Sequence, residues 1–461
     1  MIEIRPHSVV FCESEGDVER AISLAEADGS TITCRGGGTS IPTQSVGKGY
    51  VLVQEMKSIR VAEPDIVFAS PAVVKADLNA FLGRDSRWMP VDPSSFRSCS
   101  IGGMAANNSS GVRTLKYGST IDYVPSLTAF IPGTGLRRMS RLNLEEAASL
   151  GAPSSVAIEI VADARKEILE ETPRVTKNSC GYRLERLIEG DYANLAALLV
   201  GSEGTLGVFT EVAFRILAGP PDRRLLIVEC TLDELDETVT KLKSLEPSAI
   251  ELLDKSVFER TGRSSMLTKY ARTDRPYLVF CEVESAIEEQ GQESSLDSVV
   301  DLDPLFIQGG AELSEAWGVR NETLVLAGEI RKGTKTLLPG VEDLVVPTDR
   351  LGDLVGFMMG QFEGRGLEYI SYGHAGDANL HMRPLLDRDS PHDRRILEGL
   401  MEESFEKVWR LGGSITGEHG DGMIRAPYVE RQYPRTYQVM QDVKAAFDPK
   451  GLLNPGVKVS R

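Results

Sequence analysis

An α+β chain of at least two domains is expected from three observations. At 461 residues the chain is longer than one hydrophobic core supports. The opening reads as strand, helix, strand, and residues 1–219 carry three glycine-rich stretches. Past Gly219-Pro220-Pro221-Asp222, the best boundary signal, the order becomes β-α-β-β-α-β with an insertion, that of a ferredoxin-like layer.

Each element rests on its own pattern. Val9-Val10-Phe11-Cys12 is a short apolar run, and Val18, Ala21, Ile22 and Ala25 then recur at the spacing of an amphipathic helix. Thr31-Ile32-Thr33-Cys34 is β-branched and runs straight into Arg35-Gly36-Gly37-Gly38-Thr39-Ser40; Tyr50-Val51-Leu52-Val53 is the next strand. The glycine triplet therefore ends a strand of a βαβ-type unit, a natural place to hold an anion. Beyond the boundary, Leu225 to Cys230, Ala249 to Leu253, Tyr277 to Val283 and Tyr369 to Tyr372 read as strands, and 232–245, 349–363 and 391–410 as helices. The insertion, roughly 285–345, is charged and partly irregular, and its elements cannot be placed from pattern.

Composition narrows the function. Apolar content of 41% and charged content of 26% are those of a soluble globular protein. A formal net charge of −17 argues against nucleic acid and anionic membrane surfaces as partners, and any site for a carboxylate must be locally basic. The six cysteines contain no CxxC pair, which suits reduced thiols and excludes a cysteine-ligated iron–sulfur cluster of the usual spacing. The opening Met1-Ile2-Glu3-Ile4-Arg5-Pro6 has no signal-peptide pattern and no apolar run reaches membrane-span length. A cytoplasmic protein without an integral membrane segment, peripheral to a membrane only through a partner, is the expectation.

Three glycine stations in one N-terminal region imply an extended, phosphate-bearing ligand such as a dinucleotide. They are residues 36–38, Ser100-Ile101-Gly102-Gly103-Met104-Ala105-Ala106-Asn107 running on to Gly111, and Gly201-Ser202-Glu203-Gly204-Thr205-Leu206-Gly207. Only glycine lets the backbone approach a pyrophosphate closely without steric cost. The standard fingerprints GxGxxG after the first strand, GxxxxGK[ST] and HExxH are absent.

Three of the five histidines lie in two glycine-flanked motifs, Gly373-His374-Ala375-Gly376-Asp377-Ala378-Asn379-Leu380-His381 and Gly417-Glu418-His419-Gly420. Fully extended, His374 to His381 would span roughly 23 Å, too far for one ion. The Gly-Asp-Ala-Asn stretch is turn chemistry, so the chain is expected to fold back and face the two imidazoles. Glu418 then completes a His2Glu set with an open coordination position, and His419, pointing the other way, is read as a base. Ordinary loop histidines are the plain alternative, and clustering in glycine-flanked loops weighs against it.

Those motifs carry a resemblance. Arg35 to Ser40, Ile101 to Gly111, Lys177-Asn178-Ser179-Cys180-Gly181-Tyr182, Gly201 to Gly207, His374 to His381, Gly417 to Gly420 and Asp448-Pro449-Lys450-Gly451-Leu452-Leu453-Asn454-Pro455-Gly456 occur in the order found in FAD-linked oxidases of the vanillyl-alcohol oxidase type. The chain most resembles the branch of D-lactate dehydrogenases, glycolate oxidase FAD subunits and D-2-hydroxyglutarate dehydrogenases. The resemblance implies a two-part FAD-binding domain over 1–219 (about 1–58 and 59–219), a substrate or cap domain over 220–415, and a segment 416–461 that returns to the flavin.

It also implies site roles. Arg35, Gly36, Gly37, Gly38, Thr39, Ser40, Ser100, Gly102, Gly103, Asn107 and Gly111 would line the FAD, mainly its pyrophosphate. Gly204 to Val208 would line its adenine and ribose, and Asn454 would lie near the isoalloxazine ring. Thr39 stands where covalently flavinylated relatives have His, which implies non-covalent FAD. His374, His381 and Glu418 would bind a divalent metal, zinc first and manganese or iron as alternatives, and His419 would be the base. Arg320, in Ala316-Trp317-Gly318-Val319-Arg320, is the candidate for the substrate carboxylate; a solvated helix arginine is its plain reading.

The implied reaction is oxidation of a small (R)-2-hydroxy acid, D-lactate or glycolate, to the 2-oxo acid, with hydride transfer to flavin N5. The electrons would pass to an iron–sulfur subunit, an electron-transfer flavoprotein or a quinone. Two departures from the family pattern stand out. Ala378 replaces the second glycine of the hairpin turn, and the acidic Glu342-Asp343 precedes Pro347 where some relatives carry a lysine, which disfavours a dicarboxylate such as 2-hydroxyglutarate. The competing readings are a D-2-hydroxyglutarate dehydrogenase, a non-catalytic FAD subunit of a multi-subunit glycolate or lactate oxidase, a metal hydrolase whose glycine loops are only turns, and an alkyl-transferring flavoenzyme of the same fold.

Overall fold

Three sheets of three or more strands, with a two-stranded pair of Arg87–Trp88 and Leu217–Ala218, organise residues 4–284 and 297–459, the parts described by a computed structural model. At the N-terminus, Ser8–Cys12, Tyr50–Gln54 and Ile32–Arg35 form a parallel sheet in that order. The helix Glu15–Ala27 begins where the Ser14 hydroxyl accepts the Asp17 N–H. Its stripe of Val18, Ala21, Ile22 and Ala25 is buried against Cys12, Ile32 and Leu52, as the spacing predicts. Leu452 and Leu453 complete this small core, and Ile32 pairs with Leu453, so the C-terminal segment returns to the first unit.

Seven strands form a second, antiparallel sheet in the order Ile59–Glu63, Ile66–Ala69, Val208–Arg215, Ser126–Ile131, Gly135–Asn143, Tyr192–Asn194, Ile188–Glu189. The third glycine stretch feeds directly into an inner strand of this sheet, Val208–Arg215.

The third sheet has eight strands. The four strands expected beyond the boundary lie side by side as Arg223–Cys230, Tyr277–Glu284, Ala249–Asp254 and Tyr369–His374. Asn379–Leu386, Lys335–Leu337 and Arg331–Lys332 extend one edge and Leu305–Ile307 the other. Both faces are covered: Val279, Cys281 and Val283 enter one core and Leu278 and Phe280 the other. This two-sided burial is why the strand reads as an unbroken apolar run. Helices Leu235–Lys243 and Leu351–Glu363 adjoin each other over the first face, and Gly310–Glu329 lies over the second.

The insertion supplies a long helix whose buried face is of mixed polarity. Residues 285–296 of it lie outside the described residues, as do Met1 to Glu3. The rest holds the helix Gly310–Glu329, whose buried stripe is Ala316, Val319, Arg320, Thr323, Leu326 and Ala327. The spacing is helical, but two of the six positions are polar, so no apolar period announces it.

One connected core runs through the second and third sheets, joining Val67, Leu127 and Phe209 to Leu226, Leu252 and Ile415. Arg113 adds a polar clasp, pairing with Asp92 at 2.5 Å and with Glu282 of the third sheet at 2.7 Å. Among the described residues no helix is long and apolar enough to cross a membrane.

Lys458, fully buried, pins the C-terminal segment. Its ammonium lies 3.0 Å from both Glu203 and Asp421, each also fully buried, and donates to the Ser179 and Gly181 carbonyls. Lys458→Met is expected to strand two buried carboxylates and cost about 3–5 kcal/mol, read as a lower urea midpoint. An unchanged midpoint would contradict this anchoring.

Candidate active site

The predicted fold-back is present. Tyr369–His374 and Asn379–Leu386 pair antiparallel, with Tyr372 opposite His381 and His374 opposite Asn379. His374 and His381 are thus diagonal neighbours on one face, their ring centroids 5.4 Å apart. The turn needs a left-handed residue, and Ala378 supplies it at φ 50°. That conformation costs a non-glycine residue about 1–2 kcal/mol, and burial of the methyl group recovers part of it.

A second segment brings Glu418 and His419 onto this hairpin. Ser414 exchanges backbone hydrogen bonds with Val345, and the Asn379 side chain donates to the Leu344 carbonyl. The Asp343 carboxylate then accepts the N–H groups of Glu418, at 3.0 Å, and His419, at 2.9 Å. Asn107 donates to the Glu418 carbonyl from the second glycine station.

The Glu418 carboxylate is the meeting point. Its Oε2 accepts from the Lys177 ammonium at 2.9 Å and the Ser110 hydroxyl at 3.0 Å. Its Oε1 faces His374 Nε2 at 3.1 Å, His381 Nε2 at 3.3 Å and His419 Nε2 at 3.6 Å. Each imidazole is oriented from behind: His374 Nδ1 by Glu251 at 2.6 Å, His381 Nδ1 by the Glu342 carbonyl at 2.6 Å, His419 Nδ1 by the Glu342 carboxylate at 3.4 Å. These partners accept from Nδ1 and turn each Nε2 inward, where it donates to Glu418 while protonated and offers a lone pair once the proton is displaced.

Electrostatics follow from this packing. Burial opposes ionisation of Glu418, yet His374 and Lys177 hold its carboxyl well below the usual range. Burial likewise opposes the Glu251 anion, but His374 and Arg320 bring its pKa down to about 2. Burial opposes a charged His374, and the Glu251 and Glu418 carboxylates outweigh it, lifting the imidazole to about 9.

His374, His381 and Glu418 present ligand atoms within 4.8 Å of one another, and so do Asp343, His381 and His419. The first set is the better one for a cation. Asp343 already accepts two N–H groups and does not line the cavity, whereas all three members of the first set do. Two nitrogens and a carboxylate oxygen, with the far ring nitrogens held in place, fit a divalent metal with an open position.

The same cavity, with about 1270 Å³ of empty space, runs from Gly36–Ser40 past Ser100, Asn107, Gly111 and Gly204 to His374, His381, Glu418 and His419. A second, of about 980 Å³, adjoins it through Gly36, Gly37, Ser100, Gly103 and Gly204 and adds Arg35 and Gly102. Bare backbone forms part of the floor: a Cβ on Gly37 would sit 2.1 Å from the Ser98 carbonyl oxygen. The glycine stations and the histidines thus border one space.

Two expected cofactor residues fall elsewhere. Val208 points into the small N-terminal core. Asn454 is buried and fully used inside the protein, accepting from Thr33 and donating to the Gln44 and Glu203 carbonyls. It braces two cavity-lining residues from behind. Nor is Arg320 a solvated helix residue: it is 3% exposed, ion-paired with Glu251, and lines the cavity with Nε and Nη1 unpartnered. The acidic pair also changes meaning. Glu342 is taken up by Arg425 at 3.0 Å and Asp343 by backbone N–H groups, and neither lines the cavity, so their charge is not presented to a ligand.

Glu251, Lys177, Tyr372 and Arg383 were not given roles by pattern. Glu251 left one trace, a carboxylate in the middle of the otherwise apolar run Ala249 to Leu253.

Comparison with known proteins agrees with this geometry. The family model for the C-terminal domain of FAD linked oxidases matches residues 223–457, and that for an FAD binding domain matches residues 6–140. The D-2-hydroxyglutarate dehydrogenase of Pantoea ananatis is 29% identical over 98% of this chain and 48% of its own. The glycolate oxidase subunit GlcD of Bacillus subtilis is 26% identical over 98% and 88%, and the D-lactate dehydrogenase of Archaeoglobus fulgidus 27% over 98% and 91%. The chain spans about half the length of the D-2-hydroxyglutarate dehydrogenases it matches. Among solved structures, an alkyldihydroxyacetonephosphate synthase shares the fold, with a TM-score of 0.66 over 97% of this chain and 75% of its own at 17% identity. With both halves matched and a glycine-floored cavity between them, the chain belongs to the FAD linked oxidases.

Proposed function

We propose that this chain uses non-covalently bound FAD to oxidise a small (R)-2-hydroxy acid to its 2-oxo acid. One observation carries the reading: three inward-facing imidazoles and Glu418 border the same cavity as the glycine stations. The relatives named for D-2-hydroxyglutarate, glycolate and D-lactate support the substrate class.

The residues divide the work. Arg320 is oriented by Glu251 and offers two unpartnered nitrogens to the substrate carboxylate. His374, His381 and Glu418 would hold a divalent ion, zinc in the first instance, against the carboxylate and hydroxyl. His419 accepts the hydroxyl proton at Nε2, since Nδ1 faces Glu342. Bound FAD supplies the acceptor for the two electrons leaving C2, and the ion the charge that favours the alkoxide. Electrons then pass to an external acceptor, an iron–sulfur subunit, an electron-transfer flavoprotein or a quinone. The Bacillus subtilis relative, named as a subunit, supports a protein partner.

Anaerobic mixing with a panel of (R)-2-hydroxy acids should bleach the flavin. A fully flavin-loaded protein that no member reduces would refute the reading. His419→Ala should slow flavin reduction by at least ~10²-fold in stopped flow; a wild-type rate would remove His419 as the base. Gly37→Ala forces the Ser98 backbone aside, so the purified protein should carry several-fold less flavin per chain, and full occupancy would contradict the assigned floor.

A further inference from the structure

Arg383 is a cation that the proposed reaction leaves unused. It follows His381 by two residues in the strand Asn379–Leu386, so guanidinium and imidazole leave the same face, Cα atoms roughly 7 Å apart. It lines the cavity that holds the histidines. Among the described residues its buried Nε has no hydrogen-bond partner and its guanidinium no ion pair. The carboxylates around it are already engaged: Glu342 by Arg425, Glu418 by Lys177, Glu251 by Arg320. The ring of Tyr372 lies 5.7 Å from the guanidinium carbon, and its buried hydroxyl also has no partner.

A half-buried cation whose nearby carboxylate, Glu342, is already paired with Arg425 is only partly compensated unless something else supplies charge. In a ligand cavity that something is the ligand. Arg320 accounts for one carboxylate, and lactate or glycolate would leave Arg383 and the Tyr372 hydroxyl unanswered. We infer that Arg383 and Tyr372 form an anion subsite for the far end of the substrate, which makes the substrate a 2-hydroxy acid bearing a second carboxylate. The planar guanidinium fork suits two coplanar oxygens, and the hydroxyl adds a third donor. A gap of one strand repeat is bridged by a chain of about four or five carbons at about 1.5 Å per bond. The acidic Glu342-Asp343 segment does not oppose this, because both side chains are consumed away from the cavity.

The substrate class rests on the oxidation proposed above; the subsite can be tested without turnover. Calorimetric titration of the FAD-loaded protein compares 2-oxoglutarate with 2-oxopentanoate, equal in length but lacking the distal carboxylate. The wild type should bind the diacid about 10- to 100-fold more tightly. Arg383→Met keeps the side-chain stem and should erase that preference, while Arg383→Lys, charged but without the fork, should keep part of it. In turnover the loss should appear in KM for (R)-2-hydroxyglutarate far more than for (R)-lactate. Equal affinity of the wild type for both acids, or a preference that survives Arg383→Met, overturns the subsite. A preference that holds while no hydroxy acid reduces the flavin upholds the subsite and sinks the oxidation.

Discussion

A buried carboxylate that must be surrounded by donors shapes the centre of this protein. Glu418 cannot sit ionised in the interior unless its charge is met, and Lys177 and Ser110 meet it on one oxygen. The other oxygen then faces three imidazoles, which need orienting partners of their own in Glu251 and Glu342. Stretches that are far apart in sequence are thereby fixed against one another. Asn107 and Ser110 of the second glycine station contact Glu418 directly, so that station and the histidine cluster are built together.

Much of this was legible in the sequence, for identifiable reasons. The hairpin announced itself because Gly-Asp-Ala-Asn is turn chemistry between two histidines, and the helix Glu15–Ala27 because its buried stripe is wholly apolar. The helix Gly310–Glu329 was hidden because its stripe includes Arg320 and Thr323. Glu251 and Arg383 were hidden for another reason. Their importance arises from which strands lie next to each other, and strand order is not written in local periodicity. Asn454 shows the converse: a residue in a recognisable motif whose side chain serves the wall of the site rather than its contents.

Burial reverses the meaning that charge has in the linear chain. Read as text, Glu342 and Asp343 repel a second carboxylate; folded, they orient His419 and its loop and are neutralised by Arg425 and backbone N–H groups. Arg383, unremarkable as text, becomes the cation left over. A chain of net charge −17 can therefore present a locally basic pocket, because its acids near the site are spent on structure.

The central claim is that His374, His381 and Glu418 are metal ligands beside the flavin cavity. X-ray absorption on the FAD-loaded protein reconstituted with one equivalent of Zn²⁺ tests it most directly. The account predicts a shell of two imidazole nitrogens at about 2.0–2.1 Å plus carboxylate oxygen, with the imidazole signal reduced in His381→Ala. An ion bound without imidazole, or a shell indifferent to that substitution, would contradict it.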